Sequence, residues 1–524
     1  MKLKELLLFV KKYKIYGKSE IDIKQISDDS RKIGKDCLFV AIKGLHFDAH
    51  NYIDQVIGSG AVAVVGEISP KRKWLDKITY IKTKNSRLTL ALLASAWNGN
   101  PSKKMKIIGV TGTDGKTTTV NLIYTILKSS GIKVGMTSTI EARVGNKIID
   151  TGLHVSSPEP LILQKLLKSM VDEGCTHAVL EVTSHGLDQE RIAGIDFTVG
   201  VLTNITSEHL DYHNTFQNYL FTKCKLFESV KIAVLNQDDA YFESFKCVVP
   251  YGSEIISYGL SNSEADINAE SIKYSDEGSE FDVLVYDDKA HLKKYQIKSK
   301  LLGDYNVSNV LAATGAVYSL GIGFRKIKRG ILYFQSPEGR LQTIKNKKGL
   351  KVYIDFAHTP NALENVLRVL KKNIGLEGRE GKLITVFGCA GERDKAKRPV
   401  MAEISTRIAD FSVFTVEDSR NENVEDIISA MASGIKRGMA IKIDSKKYDD
   451  SNQHIKEHVY FKIPERGRAI WFAIQKLAKK GDVLVICGKG HEKSMAYNGI
   501  EYPWSDYKAA TQALKGEILK AGYE

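Results

Sequence analysis

Residues 106–129 read KIIGVTGTDGKTTTVNLIYTILKS, and the chemistry of the chain is densest there. A short apolar run leads into the turn Gly112-Thr113-Asp114-Gly115, then into Lys116-Thr117-Thr118 at the start of a helically spaced segment. Glycines let backbone N–H groups close around oxyanions, and a helix N-terminus adds positive potential. Lys116 supplies a neutralising charge, and a threonine hydroxyl can hold Mg²⁺. These are the parts of a phosphate cradle. Val110 stands where the usual pattern has its first glycine, leaving the compressed form Gly112-x-x-Gly115-Lys116-Thr117-Thr118. A chance Gly/Lys turn at a helix start is the bland alternative.

Phosphoryl transfer also needs a carboxylate on a neighbouring strand to hold the metal. Glu181 fits, since it ends an apolar run and opens Glu181-Val182-Thr183-Ser184-His185. A strand-end carboxylate can equally cap the next helix, and the phosphate loop favours ligation. His209 and His213 are spaced i, i+4, which suggests zinc, but there is no third ligand nearby and no H-E-x-x-H pattern. A polar loop near the nucleotide is the better reading.

The elements that must position these groups follow from apolar runs separated by helical stretches. Residues 1–103 hold short strands around Cys37 and Val65 and form a small α/β unit. Residues 104–337 hold strands at 176–182, 199–205 and 231–236 beside the phosphate loop, implying a mostly parallel sheet with ligands at the strand C-termini. Within it, residues 253–300 alternate and are Gly/Asp/Ser-punctuated, as in an antiparallel insertion. Residues 338–524 start again with strands at 351–355, 383–387, 411–415 and 482–486, a second parallel unit of Rossmann-like type. Residues 438–463 are polar and patternless and read as an exposed loop with short elements.

Composition sets outer limits. A chain of 524 residues exceeds one core, so several domains are expected. Residues 1–14 have too short an apolar core for a signal peptide, and the longest apolar run is far below a membrane span. The six cysteines are dispersed, with no C-x-x-C, which fits reduced cytosolic thiols. The net charge of +14 is scattered rather than blocked, so anionic small substrates account for it better than nucleic acid.

Taken together, the blocks resemble the Mur ligase family, in its MurE-type branch, over essentially the whole chain. They are Asp29-Ser30-Arg31, the phosphate loop, Glu181 to Arg191, Asn204 to His213, Tyr219 to Phe227 around Lys223, Gly303 to Asn309, Gly339-Arg340, Asp355 to Ala362 around His358, Gly391 to Pro399, and Gly488 to Glu492. The resemblance implies a three-domain α/β fold and cytoplasmic, ATP-dependent amide ligation in peptidoglycan precursor synthesis. A substrate carboxylate would attack the γ-phosphate to give an acyl phosphate, which an incoming amine then displaces. It further implies that Gly112, Thr113, Asp114, Gly115, Lys116, Thr117, Thr118, Asn306, Asn309, Arg340 and Asp355 meet ATP. Thr117, Glu181 and His209 would hold Mg²⁺. Lys223 matches a lysine that is carbamylated in the family and helps to hold a second Mg²⁺, although spacing alone would make it a surface lysine. Lys116, Glu181, His209 and Lys223 would form the catalytic set.

The UDP-muramoyl dipeptide would lie across the first two domains. Ser30, Leu45, His46 and Phe47 would face the uridine end, with Val155, Ser156, Ser157, Thr183, Gln189 and Arg191 at the dipeptide. Val155-Ser156-Ser157 replaces the more usual Asn-Thr-Thr, keeping hydroxyls and losing an amide. His358, Arg393, Glu417, Asp418, Ser419, Arg420, Gly488 and Glu492 would face the remaining substrates, most of them reading the incoming amino acid. The diaminopimelate-adding enzymes usually carry Asp-Asn-Pro-Arg where this chain has Glu417-Asp418-Ser419-Arg420. Arg420 suits a distal carboxylate, because guanidinium binds carboxylate bidentately, and Asp418 suits a bare ammonium such as that of lysine. The reading taken is meso-diaminopimelate, with L-lysine as the alternative. A folylpolyglutamate-synthase-like ligase is a remoter reading, and a GTPase would need an Asn-Lys-x-Asp reader that the sequence lacks. A monomer without nucleic-acid or membrane partners is expected.

Overall fold

The computed structural model describes residues 1–44, 47–150, 157–262, 264–275, 277–286, 292–375, 381–448 and 457–522. Leu45, His46, Val155 and Ser156 lie outside the described residues. Three sheets, each with its own apolar core, carry an α/β fold in three domains.

The first sheet has five strands in the spatial order Tyr13–Tyr16, Thr79–Thr83, Ala61–Gly66, Cys37–Val40, Gln25–Ser27. All neighbours are parallel except the first pair.

The middle sheet has eleven strands. At its centre Lys106–Thr111 lies between His177–Glu181 and Phe197–Leu202, parallel to both. Val134–Thr137 extends the parallel set on one side, Ile232–Asn236 and Glu254–Gly259 on the other. Central parallel strands have both faces covered, which is why they read as unbroken Val/Ile/Leu runs. The helix Lys116–Ser129 packs beneath the sheet against Asp304–Tyr318 and Phe324–Tyr333, and ten of its fourteen residues are buried. The antiparallel part is narrower than residues 253–300. Glu254–Gly259 joins the parallel set, and the meander begins at Ile267 and runs to Ser299.

The last sheet has seven strands, in the order Gln342–Ile344, Lys351–Asp355, Val483–Cys487, Leu383–Phe387, Phe411–Phe414, Val459–Lys462, Ile441–Lys442. Only the first pair is antiparallel. The reading of 438–463 as an exposed loop is corrected here. Val459–Lys462 is an inner strand whose Val459 and Phe461 are buried, and a four-residue alternation inside a polar stretch is too short to stand out. No helix among the described residues is long and apolar enough to cross a membrane.

Candidate active site

The strand C-termini of the middle and last sheets open onto one cleft of about 710 Å³, as parallel sheets of this type favour. The phosphate loop forms one wall. Gly112 and Gly115 have φ of +146° and +83°, and a Cβ on either would strike the side chains of Thr203 and Asn309 respectively. Glycine is therefore required twice in four residues. The loop is pinned from the next strand: Thr203 Oγ1 and Asn204 Nδ2 donate to the Asp114 carbonyl at 2.7 and 3.0 Å, and the Asp114 N–H donates to Asn204 Oδ1 at 3.0 Å. Lys116 folds back, its Nζ donating to the carbonyls of Gly112 and Thr113 at 3.0 and 2.7 Å.

Thr117 joins the two domains that flank the cleft. Its hydroxyl donates to Glu181 Oε2 at 3.0 Å and accepts from Arg340 Nη2 at 3.2 Å. Glu181 also accepts from the Thr139 hydroxyl at 2.8 Å and the Thr139 N–H at 3.0 Å. Two oxygens about 3.0 Å apart have the spacing of adjacent ligands in an octahedral Mg²⁺ shell of about 2.1 Å radius. The Thr117–Glu181 pair fits that ion. Among the described residues, no group of three or more His, Cys, Asp and Glu could hold a metal by itself.

His209 takes a left-handed backbone, φ +56°, in the same cleft wall. Burial holds its imidazole at about 4, so at pH 7 it is neutral and able to ligate. His185, ring centroid 4.8 Å away, is also held at about 4, chiefly by burial. Lys223 is 2 % exposed, and its Nζ donates to the Gly112 carbonyl at 2.7 Å. Burial, then the charge of Lys116, hold its ammonium well below the ordinary lysine range. A surface lysine it is not.

The far wall belongs to the last domain. Asn361 Nδ2 donates to Asp114 Oδ2 at 2.8 Å, and His358 Nε2 lies 3.2 Å from Glu208 Oε1. Burial opposes ionisation of Glu208, but His209, His358 and Lys116 outweigh it and hold the carboxyl well below the usual range. Asp355 accepts from the N–H groups of Leu341 and Ala357 at 2.7 and 2.8 Å, which fixes the loop carrying Arg340. Asn309 Nδ2 donates to Asn306 Oδ1 at 3.2 Å, and both line the cleft.

Of the residues expected at the dipeptide, Thr183, Gln189 and Arg191 line the cleft as a bonded set. Arg191 donates to Gln189 Oε1 at 2.8 Å and to the Ser157 carbonyl at 2.9 Å, and Ser157 Oγ lies 3.1 Å from Thr183 Oγ1. Ser30 and Phe47 sit on the first domain and do not line this cleft; Phe47 is exposed.

Of the residues expected to read the incoming amino acid, Arg393, Glu417, Asp418, Arg420 and Glu492 line the cleft, whereas Ser419 is wholly buried behind it. Asp418 accepts from Lys489 Nζ at 2.7 Å and from the Ala496 N–H at 2.9 Å. Lys489, fully buried, also meets Glu492 at 2.5 Å. One buried ammonium is thus shared between the carboxylates of Asp418 and Glu492. Arg420, with φ +52°, is held by its N–H to the Ala496 carbonyl at 3.1 Å and by the Asn498 N–H on its own carbonyl at 2.6 Å. Burial raises the Glu417 carboxyl, whose Oε2 has no hydrogen-bond partner and would meet a Cβ on Gly488 at 2.9 Å.

Sequence reasoning overlooked Thr139, Glu208, Asn361 and Lys489. Each sits in or beside a strand-end block, which is the signal that could have singled it out.

Comparisons with known proteins identify the family of the chain. Residues 110–317 match the Mur ligase middle domain, and residues 339–490 match the Mur ligase glutamate ligase domain. The chain is 37% identical over 494 residues to UDP-N-acetylmuramoyl-L-alanyl-D-glutamate–2,6-diaminopimelate ligase 1 of Clostridium acetobutylicum, covering 94% of this chain and 95% of that protein. The corresponding ligase of Clostridium tetani is 38% identical over 495 residues, covering 94% and 95%. A solved structure of a UDP-N-acetylmuramoyl-L-alanyl-D-glutamate–2,6-diaminopimelate ligase superposes with a TM-score of 0.66 at 27% identity, covering 98% of this chain and 99% of that one. Matched in two domains and over nearly its whole length, this chain belongs to the Mur ligase family.

Proposed function

We propose that the protein is an ATP-dependent ligase that joins meso-diaminopimelate to UDP-N-acetylmuramoyl-L-alanyl-D-glutamate, in cytoplasmic peptidoglycan precursor synthesis. The observation that carries this is the single cleft in which Lys116, Thr117 and Glu181 of the middle domain face Arg340, Arg393 and Arg420 of the last. Names of relatives more than 35% identical over nearly the whole chain support the substrate pair.

In this reading the domains comprise residues 1–103, 104–337 and 338–524. The first, with Ser30, Leu45, His46 and Phe47, receives the uridine end. Val155, Ser156, Ser157, Thr183, Gln189 and Arg191 bind the dipeptide. Gly112 to Thr118, Asn306, Asn309, Arg340 and Asp355 hold ATP. Thr117, Glu181, His209 and a carbamylated Lys223 hold Mg²⁺, which supplies charge neutralisation at the phosphates. The protein is read as a cytoplasmic monomer.

The free carboxylate of the dipeptide attacks the γ-phosphorus, and the bond to the bridging oxygen breaks, releasing ADP and leaving an acyl phosphate. Lys116 and Arg340 face the charge that spreads over the transferring oxygens. The amine of the incoming amino acid then adds to the acyl carbon, and phosphate leaves from the tetrahedral species as the proton is lost. Arg420 faces the distal carboxylate of that amino acid. Lys489 bonds both Asp418 and Glu492, so negative charge remains for the ammonium that both amino acids carry, and Arg420 is the group that favours diaminopimelate over lysine.

ADP release with the purified protein, the UDP-muramoyl dipeptide and each amino acid in turn is the test. Release should require the dipeptide and be fastest with meso-diaminopimelate. Clear selection of L-lysine overturns the amino-acid assignment, and release without the dipeptide overturns the substrate pair.

A further inference from the structure

Behind the amino-acid side of the cleft lies an ion pair that no step above uses. Arg466 and Asp506 are both 0 % exposed, and each opens a helix, Arg466–Phe472 and Asp506–Leu514. The guanidinium meets the carboxylate through two parallel bonds of 2.7 Å, Nε to Oδ1 and Nη2 to Oδ2. Trp504 Nε1 adds a third donor to Oδ1 at 2.9 Å. The remaining guanidinium N–H groups do something else. Nη1 donates to the Val416 carbonyl at 3.0 Å and Nη2 to the Cys487 carbonyl at 2.8 Å.

Those two carbonyls are the last backbone groups before the two loops on which the amino-acid site rests. Glu417 follows Val416, and Gly488 follows Cys487. The strands Phe411–Phe414 and Val483–Cys487 are not neighbours, since Leu383–Phe387 lies between them, so no ladder bond fixes one loop against the other. A buried ion pair adds little net stability, because desolvation offsets the attraction. What Arg466 supplies is direction: a rigid fork of five donors that spans the end of the intervening strand and ties both loop stems to one point.

We propose that Arg466, oriented by Asp506, is a positioning residue that sets the register of the 417–420 loop against the 488–492 loop and thereby the grip on the incoming amino acid. The inference rests on the reading of those loops as the amino-acid site. It predicts a defect confined to that substrate, because the ATP and dipeptide walls are built on other strand ends.

Two variants test it. Arg466→Lys keeps the charge beside Asp506 but cannot reach both carbonyls. Arg466→Met combined with Asp506→Leu removes both charges together, so neither is left buried and unpaired. Steady-state KM values are measured separately for ATP, the dipeptide and the amino acid that wild type joins. KM describes the folded fraction alone, so partial unfolding lowers apparent kcat without mimicking the effect. The amino-acid KM should rise about 10- to 100-fold, the loss expected for a small misplacement of binding groups, with both other KM values within about twofold of wild type. The preference between meso-diaminopimelate and lysine should also narrow. Unchanged amino-acid KM in both variants, or equal rises for all three substrates, overturns the proposal. Wild type joining a different amino acid overturns the earlier assignment alone, because the KM test is run on whichever amino acid it uses.

Discussion

Two side chains decide whether the site works as read. Lys223 is buried, and burial together with the charge of Lys116 disfavours its ammonium; its Nζ donates to a carbonyl that Lys116 also serves. Only a neutral amine can take up CO₂ to become a carbamate, so an environment that disfavours the ammonium is the one carbamylation needs. Because Gly112 keeps its bond from Lys116, Lys223→Ala should fold. Its kcat should fall by about 10²–10³, as for the loss of one charge-stabilising group, and a short carboxylate such as acetate should restore part of it. A fully active variant removes Lys223 from the mechanism. Arg420 is the second. With Lys489 drawn to Asp418 and Glu492, Arg420 presents the positive charge in this loop that a distal carboxylate can meet. Arg420→Ala should cost on the order of 2–5 kcal/mol in kcat/KM for meso-diaminopimelate and much less for lysine. Competition between the two amino acids reads this directly. Strong selection of lysine, unchanged in the variant, would assign specificity to Asp418 instead.

Elements position these residues through contacts of very different legibility. The glycines, Lys116 and Glu181 announce themselves because a strand, a tight turn and a helix start leave local marks in the sequence. Val459–Lys462 does not, since two buried residues in four carry too little pattern. Nor do Lys489 and Arg466, whose partners are brought to them by the sheet from 71 and 40 residues away. Another such contact anchors the 417–422 loop. Arg398, on the helix Lys397–Ile408, donates to both Glu422 oxygens at 3.0 Å and is 3 % exposed. That bond holds the Glu422 carboxyl at about 2, below its ordinary 4.5. A depressed acid gives stability that is complete above its unfolded value and is lost as the carboxylate becomes protonated. The wild-type melting temperature should therefore fall as pH drops from 4.5 towards 2. Glu422→Gln should remove that part of the pH dependence and cost about 1.5–3 kcal/mol at pH 7. Thermal melts of both proteins across this range check it; parallel curves would show that the pair contributes nothing.

At the scale of the whole molecule, the site exists only because two domains close on each other. Arg340 reaches Thr117, His358 reaches Glu208, and Asn361 reaches Asp114 across 247 residues of chain. Order of motifs along the sequence shows which domain supplies each group but is silent on how they meet, since each motif is local and each meeting is not. Asn361 is the most telling case. It sits in the first turn of the helix Pro360–Gly375 and donates its amide to a phosphate-loop carboxylate that burial has already made reluctant to ionise. Closure in this reading is reported to the phosphate loop through a neutral donor facing an acid. Asn361→Asp would set a second carboxyl 2.8 Å from that of Asp114, so that closing the cleft must either hold two like charges together or take up a proton. The closed cleft should be disfavoured accordingly. We expect kcat to fall at least about tenfold, the equivalent of 1.4 kcal/mol, while nucleotide binding to the open middle domain is nearly unchanged. Exchanging the pair, with Asp114→Asn added to Asn361→Asp, restores one donor and one acceptor across the cleft and should recover most of the lost turnover. Scattering of the ligand-bound proteins gives the independent reading, with a larger radius of gyration for the single variant and a normal one for the exchange. If the exchanged pair is as slow and as open as the single variant, the Asp114–Asn361 contact does not govern closure, and Arg340 with His358 must carry it.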